Sequence, residues 1–133
     1  MKTLFTTPSL TMYLHEGALP VLELSWQGYL PGSAFREAVL RSLALGAQYQ
    51  VRGWLSDDRL LGALRPRDLE WAAEVGMKGL NDLGIQRFAQ LESQDALNRR
   101  TIDGMYQQVT PALAYDVRRF DDLTQARAWV SGT

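Results

Sequence analysis

Residues 53–59, "GWLSDDR", place a hydroxyl, two carboxylates and a guanidinium directly after a short apolar run. The four side chains are those of Ser56, Asp57, Asp58 and Arg59. Ser and Asp often cap a helix by accepting hydrogen bonds from its free backbone N–H groups, and "RLLGAL" would then form a short helix. Alternatively, open parallel sheets bind ligands at the carboxyl ends of their strands. We therefore treat these four residues as a candidate regulatory or binding site, with helix capping as the structural alternative.

Other reactive patterns are missing from the chain. It has one histidine, His15, and no cysteine, so neither a thiolate zinc site nor a cysteine nucleophile is available. The serine elbow GxSxG and the phosphate-binding patterns GxxxxGK[ST] and GxGxxG do not occur either. The segment "YLHEG" predicts that His15 lies at an exposed hairpin turn. We expect no enzymatic activity, no cofactor and no metal.

Composition limits the partners of the protein. Its 133 residues are 46% hydrophobic and 22% charged, which predicts a single domain over 1–133 with a core from about 10 to 130. The chain has 15 acidic and 14 basic residues and no run of basic residues, so we expect that it does not bind nucleic acid. No stretch reaches the length of a signal peptide's apolar region or of a membrane span. Together with the lack of cysteine, this predicts a cytoplasmic protein without stable membrane insertion.

Strand and helix patterns alternate along the chain. Alternating apolar residues predict a hairpin from 10–14 and 20–27, and further strands are expected over 49–56, 85–93 and 113–120. Helices are predicted from Ser33 as N-cap, from Pro66 to Leu83, after Asp95 as N-cap, and after Asp121 or Asp122 as N-cap. The expected fold is α/β, a mixed five-stranded sheet with an N-terminal hairpin and about four flanking helices.

The predicted helix 66–83 carries apolar residues on two sides. One stripe should face the sheet and consists of Leu69, Ala73, Gly76 and Leu80. At 100° per residue, Trp71, Val75 and Lys78 then lie on nearly the opposite side. The opening hairpin or a loop could cover them, or they could form a subunit interface, because Trp is enriched among residues that dominate such contacts. In a symmetric homodimer, Glu74 of one subunit would approach Lys78 of the other.

The final helix should hold Trp129 against the sheet. Trp129 shares a helical stripe with Leu123 and Ala126 that must cover the sheet, so we expect it to be mostly buried. Its truncation to Ala is then expected to cost about 3 to 5 kcal/mol.

Five segments together resemble a known family. These are the opening hairpin, "GWLSDDR", "RPRDLEWAAEV", "LGIQRFAQLES" and "RRFDDLTQARAWV". The chain resembles the STAS-like domains related to the bacterial anti-sigma-factor antagonists, in the bacterial branch described as STAS and CRAL-TRIO-like, over about 10 to 130. The resemblance implies the STAS-like fold. Proteins of this fold act as regulators, transporter modules or lipid carriers, so the fold alone does not select a function.

One family residue maps onto this sequence. The antagonists carry a phosphorylatable Ser or Thr, preceded by Asp, after a central strand, and Ser56 occupies the corresponding place. Here Leu55 precedes Ser56, while Asp57 and Asp58 follow it and would repel an added phosphate. The resemblance implies a non-enzymatic regulatory or protein-interaction module, which we expect to be homodimeric. The alternative is a small apolar-ligand or lipid-binding protein, which needs a cavity between sheet and helices.

Overall fold

The computed structural model describes residues 1–132, which form a mixed sheet with helices on both faces. The strands are β1 (Lys2–Thr6), β2 (Leu10–His15), β3 (Val21–Gly28), β4 (Gly53–Leu61), β5 (Arg87–Leu91) and β6 (Asp116–Phe120). The helices are α1 (Gly32–Gln48), α2 (Pro66–Trp71), α3 (Lys78–Asp82), α4 (Ala96–Val109) and α5 (Leu123–Val130). A π-helical turn, Ala72–Met77, joins α2 to α3, and a short 3-10 turn, Thr110–Ala112, follows α4.

The strands lie side by side in chain order, from β1 to β6. The first three are antiparallel, whereas β3 to β6 run parallel. Parallel neighbours need a crossover connection, and the helices supply these crossovers. Residues of α1, of the rod from α2 to α3 and of α4 pack on one face, while α5 packs on the other. The predicted α/β class, N-terminal hairpin and four main helical segments are confirmed.

The described part of the chain forms six strands, so the prediction of five was wrong. The missed strand is β1, which pairs with β2 and is exposed over most of its length. An edge strand can be held by backbone hydrogen bonds on one side with little side-chain burial. Its residues therefore lack the apolar alternation that marked the inner strands.

The strand predicted over 49–56 lies further along the chain. β4 runs from Gly53 to Leu61 and contains Ser56, Asp57, Asp58 and Arg59. The predicted helix cap at these residues was therefore wrong. β3 and β5 flank β4 and satisfy its backbone groups, and its polar side chains find partners of their own, so strand pairing overrides local polarity.

The helix predicted from Pro66 to Leu83 is present and ends as expected. Gly84 adopts a left-handed φ of +75°, which suits a residue that follows a helix end. The predicted buried stripe is only partly right. Asp68, Leu69, Ala72, Met77 and Leu80 are the buried residues, whereas Ala73 and Gly76 are half-buried. The π turn contains more residues per turn than an α-helix, so it shifts the stripe.

Two of the predicted helix caps are confirmed and one is wrong. The side chains of Asp95 and Asp122 accept hydrogen bonds of 2.8 Å from the backbone N–H groups of Asn98 and Gln125. α1 instead begins after Pro31, without a side-chain cap from Ser33.

Trp129 is partly buried against the smaller core cluster, which agrees with the prediction that it is mostly buried, although it does not occupy a fully buried position of α5. Ala126 and Val130 take the buried positions, at 0% and 1% exposure. The Trp129 ring packs at the rim of the sheet, with its centre 5.7 Å from that of Phe120. α5 is short and lies so close to β4 that only small and branched side chains fit between them. A Cβ added at Gly53 would lie 2.7 Å from the carbonyl oxygen of Val130.

The helices described above all lie within residues 1–132. None of the helices there combines the length and apolar character needed to cross a bilayer.

Candidate functional site

β4 divides the four residues of the candidate site between the two faces of the sheet. Side chains alternate along a strand, so Ser56 and Asp58 point to the face covered by α1 and α4. Asp57 and Arg59 lie on the other face, where they bond each other. The structure thus brings the four residues together in pairs, and each pair has a separate environment.

On the helix-covered face, Asp58 is the centre of a buried polar cluster. Its Oδ1 accepts a hydrogen bond of 2.7 Å from the Ser56 hydroxyl. Its Oδ2 accepts one of 3.2 Å from the Tyr106 hydroxyl and a longer one of 3.5 Å from the Gln90 amide. The indole N–H of Trp26 donates to Ser56 Oγ at 3.2 Å. Four elements, β3, β4, β5 and α4, therefore contribute to one hydrogen-bonded cluster.

A β-bulge in β4 lies directly at this cluster. Ser25 pairs with Asp57 and Gln27 pairs with Leu60, so Asp58 and Arg59 together oppose a single residue of β3. Such a bulge changes the phase of side-chain alternation. As a result Leu61, at 7% exposure, continues the inward row, whereas Leu60 is 57% exposed.

The polar cluster forms part of the wall of an apolar cavity of about 80 Å³ between the sheet and the helices. Aromatic side chains line much of it, namely Trp26, Phe35, Trp54, Phe88 and Tyr106. The half-buried side chains Val39, Leu43, Leu64 and Met105 also line it, and they connect it to the surface. The cavity thus combines an apolar interior with hydroxyl, carboxyl and indole groups at one wall.

Burial dominates the electrostatics of Asp58. The side chain is almost fully buried, at 2% exposure, which disfavours the charged form and raises its pKa to about 7. The hydrogen bonds from Ser56, Tyr106 and Gln90 oppose this effect, while the negative charge of Asp57 adds to it. Burial and the neighbouring Asp58 also raise the pKa of Tyr106 well above its usual value. Asp58 can therefore change its charge near neutral pH.

The pair on the opposite face is a conventional ion pair. Nε and Nη2 of Arg59 donate to the two carboxylate oxygens of Asp57 at 2.9 and 2.8 Å. This bidentate geometry raises the pKa of Arg59. The Asp57 and Arg59 side chains satisfy each other, so the ion pair explains why both charged groups lie at this position.

A buried glutamate lies on the same face as that pair. Glu23 is 1% exposed, and Arg127 of α5 donates to both of its carboxylate oxygens at 2.8 and 2.9 Å. His15 Nε2 lies 2.8 Å from Glu23 Oε1. Burial raises the pKa of Glu23, but the bonds from His15 and Arg127 outweigh it and lower the pKa to about 2. His15 thus ends β2 beside a carboxylate, and its predicted position in an exposed turn was wrong.

Trp71, a candidate interface residue, is half-buried and packed within its own chain. Its ring lies edge-on to that of Phe35 at 6.4 Å between centres. The guanidinium of Arg36 lies 5.3 Å from the centre of the indole. Both contacts come from α1, which covers the side of the helix that the spacing predicted to be free. The expected outward orientation of Trp71 was therefore wrong.

The other two interface candidates lie next along the same helical rod. Lys78 Nζ donates at 2.8 Å to Glu74 Oε1 in its own chain, one helical turn away, and Val75 is half-buried. The Glu74 and Lys78 pair expected across a twofold interface thus already forms within the subunit. The homodimer itself stays a prediction.

Sequence reasoning missed Trp26, Gln90 and Tyr106 as members of the site. Gln90 carried a detectable signal, because it interrupts the apolar strand "RFAQL" at an inward position. In the sheet, Gln90 pairs directly with Ser56. Tyr106 shares a helical stripe with Ile102 and Val109, which indicates burial, but its partner Asp58 lies 48 residues away and no local pattern specifies that contact.

Within residues 1–132, no group of at least three His, Cys, Asp or Glu side chains converges so that it could hold a metal ion.

Comparison with known proteins supports the fold. Neither a family model nor a curated protein matches the sequence. A solved structure does match, a crystal structure of an uncharacterised protein from the DUF3478 family with a SpoIIAA-like fold from Shewanella loihica PV-4. The two share 14% sequence identity at a TM-score of 0.60, over 96% of this chain and 98% of that chain. At this identity the likeness concerns the fold alone, and the chain has the SpoIIAA-like fold that its STAS-like sequence features predicted.

Proposed function

We propose that this protein is a binding module that holds a small, largely apolar molecule between its sheet and its helices. The observation that carries the proposal is the cavity of about 80 Å³, with Asp58, Ser56 and Tyr106 at its wall. Ligand pockets commonly combine an apolar lining with a few polar groups that fix orientation. A ligand carrier of this fold needs a cavity between its sheet and its helices, which is where this one lies.

The size of the cavity limits the ligand. An engineered apolar cavity of about 150 Å³ binds benzene. The cavity of about 80 Å³ would therefore take a smaller molecule, or the end of a longer one whose remainder extends past the half-buried lining residues. A folded lipid does not fit this volume.

Native mass spectrometry of protein purified from its own cells tests this proposal. We expect a retained small molecule that dissociates on denaturation. The variant Ala72→Leu fills the cavity, because Ala72 lines it, and should lose the molecule. Ala44→Leu makes the same change at an exposed position of α1 and should retain it. Wild-type protein that carries no molecule, and that no small apolar compound stabilises against heat, would contradict the proposal.

A second proposal concerns protein contact. We propose that the module is non-enzymatic and cytoplasmic and acts as a regulator through protein contact. In this proposal it forms a homodimer through the carboxyl ends of β3 and β4. The supporting observation is that Tyr29, which directly follows β3, and Leu60, the second-to-last residue of β4, are 60% and 57% exposed. Exposed apolar groups of this kind favour a contact surface.

Sedimentation velocity at micromolar concentration tests the homodimer. We expect a dimer for the wild type and a folded monomer for Leu60→Glu. Leu40→Glu is the matched control, because Leu40 is similarly exposed, at 51%, on α1. A wild-type protein that sediments as a monomer would rule out the homodimer.

A further inference from the structure

Asp58 lacks a cationic partner. Its three hydrogen-bond donors, Ser56, Tyr106 and Gln90, are all neutral groups. The side chains that line the cavity include no Lys, Arg or His among the described residues. Isolated buried carboxylates are strongly disfavoured unless a positive charge accompanies them or a proton neutralises them.

Charged groups near Asp58 are engaged elsewhere. On its own strand, Asp57 and Arg59 pair with each other on the opposite face. On α4, Asp103 pairs with Arg119 and touches the cluster only through the Gln90 amide. The lining residues contributed by α1 and by the rod from α2 to α3 are uncharged.

The ionised carboxylate retains room for one more donor. A carboxylate offers about four lone-pair positions, and three donors occupy Asp58. Five aromatic residues line the adjoining space, namely Trp26, Phe35, Trp54, Phe88 and Tyr106. Aromatic rings attract cations, most strongly where water is excluded. A carboxylate without a counter-ion beside aromatic rings is a suitable environment for an ammonium group.

On these grounds, and resting on the proposed ligand-binding function, we infer that the cavity selects a small protonated amine whose N–H group donates to Asp58 while its alkyl part contacts the aromatic lining. The ammonium supplies the positive charge that this buried carboxylate lacks. An alcohol of the same size would gain the apolar contact and a hydrogen bond to the carboxylate, but it would bring no positive charge to balance that carboxylate. A carboxylate ligand would be repelled.

The inference predicts how binding depends on pH. Burial raises the pKa of Asp58 to about 7, so a proton and the ammonium compete for the same carboxylate. Alkylamines keep their charge up to about pH 10. Amine affinity should therefore rise as pH increases through the pKa of Asp58, whereas alcohol affinity should change little.

Three propyl probes of matched size test the inference, namely propylammonium, 1-propanol and propionate. Each is titrated into the wild-type protein at about pH 8 and about pH 5.5, on either side of the raised pKa. Nuclear magnetic resonance follows the indole N–H of Trp26, which belongs to the cluster. We expect propylammonium to bind about tenfold more tightly than propanol at the higher pH, because hydrogen bonds between charged groups are stronger. The ratio of the two affinities should fall about tenfold at the lower pH. Propionate should show no saturable binding at either pH.

Two variants locate the charge that is recognised. Asp58→Asn removes the carboxylate inside the cavity and should abolish the preference for the amine, because both probes then meet the same neutral amide. Asp57→Asn removes an acid from the opposite face of the same strand and should keep the preference for the amine at the higher pH, although the pKa of Asp58 should fall slightly because the charge of Asp57 no longer raises it. If Asp58→Asn does not fold, the comparison of the two pH values in the wild type carries the same test.

The outcomes separate this inference from the proposed function. Equal affinity for propylammonium and propanol, or tighter binding of propionate, overturns the amine inference and leaves a cavity that binds apolar molecules. An amine preference that persists at low pH or in Asp58→Asn also overturns it, because the charge would then act elsewhere. If none of the probes perturbs Trp26, both the inference and the proposed function fail.

Discussion

The hydroxyl of Tyr106 donates a hydrogen bond of 3.2 Å to Asp58 Oδ2 across 48 residues of chain. This contact ties α4 to the centre of the sheet beneath it. The Tyr106 ring also packs against Phe88 of β5, at 5.7 Å between ring centres. One side chain therefore closes the apolar cavity and supports its buried carboxyl group.

Replacing Tyr106 with Phe tests that relationship. The change keeps the ring but removes a donor that favours ionised Asp58, so the pKa of Asp58 should rise further. The free energy of unfolding should fall by about 1 kcal/mol. A carbon-13 titration of the Asp58 carboxyl measures the pKa. In the control Tyr115→Phe, whose hydroxyl bonds Met77 instead, stability should fall but the Asp58 pKa should stay in place.

Stability should decrease with increasing pH in the range where Asp58 titrates. Its pKa rises from 3.8 to about 7 on folding, so between these values the folded protein holds a proton that the unfolded chain has released. The stabilisation is complete below the unfolded pKa and is lost as pH rises through the folded one, with a slope of up to about 1.4 kcal/mol per pH unit. Urea unfolding at about pH 5 and about pH 7.5 measures this difference.

Asp58→Asn should flatten that pH profile. Glu23 does not obscure the test, because its pKa is lowered to about 2 and its stabilisation is lost only in acid below about 4.5. An equally steep profile in Asp58→Asn would assign the effect to another group.

Glu23→Gln should destabilise the protein by about 2 kcal/mol. The substitution removes the charge that Arg127 contacts twice and His15 once, in a position only 1% exposed. Chemical denaturation measures the loss. As a control, Glu74→Gln breaks the exposed pair with Lys78 and should cost less than about 0.5 kcal/mol. Equal effects of both changes would contradict the role assigned to Glu23.

Truncating Trp129 should cost about 1 to 2 kcal/mol, less than a fully buried Trp would. Its ring packs against Phe120, and the guanidinium groups of Arg87 and Arg118 lie 5.3 and 5.2 Å from its centre. Trp54→Ala is the matched change in the core, where Trp54 is 4% exposed, and should cost about 3 to 5 kcal/mol. Unfolding midpoints in urea compare the two.

Trp71→Ala should lower stability without changing the state of assembly. The ring contacts Phe35 and Arg36 of its own chain, so truncation removes intramolecular packing worth about 2 kcal/mol. Sedimentation and urea unfolding are measured on the same sample. A loss of dimer with unchanged stability would instead restore Trp71 as an interface residue.

Much of the fold could be predicted because its signals are local. Alternation in "LTMYL" and "VLELSW" identified the hairpin, and Asp95 and Asp122 identified helix starts, because capping bonds span only a few residues. β1 escaped prediction because its ladder to β2 leaves its side chains mostly exposed. The rotation of the helix containing Trp71 also escaped, because a π turn changes the phase that uniform spacing assumes.

The sequence by itself determined that Ser56, Asp57, Asp58 and Arg59 stand together on a central segment of an α/β domain. Only the tertiary structure decided that Ser56 and Asp58 join Trp26, Gln90 and Tyr106 at a cavity, while Asp57 and Arg59 pair on the far side of the sheet. The physical reason is that strand pairing by β3 and β5 holds this polar segment extended, and alternation then separates neighbours in sequence onto opposite faces. Asp58 gains Gln90 and Tyr106 as partners from far away in the chain, whereas Asp57 and Arg59 find each other within their own strand.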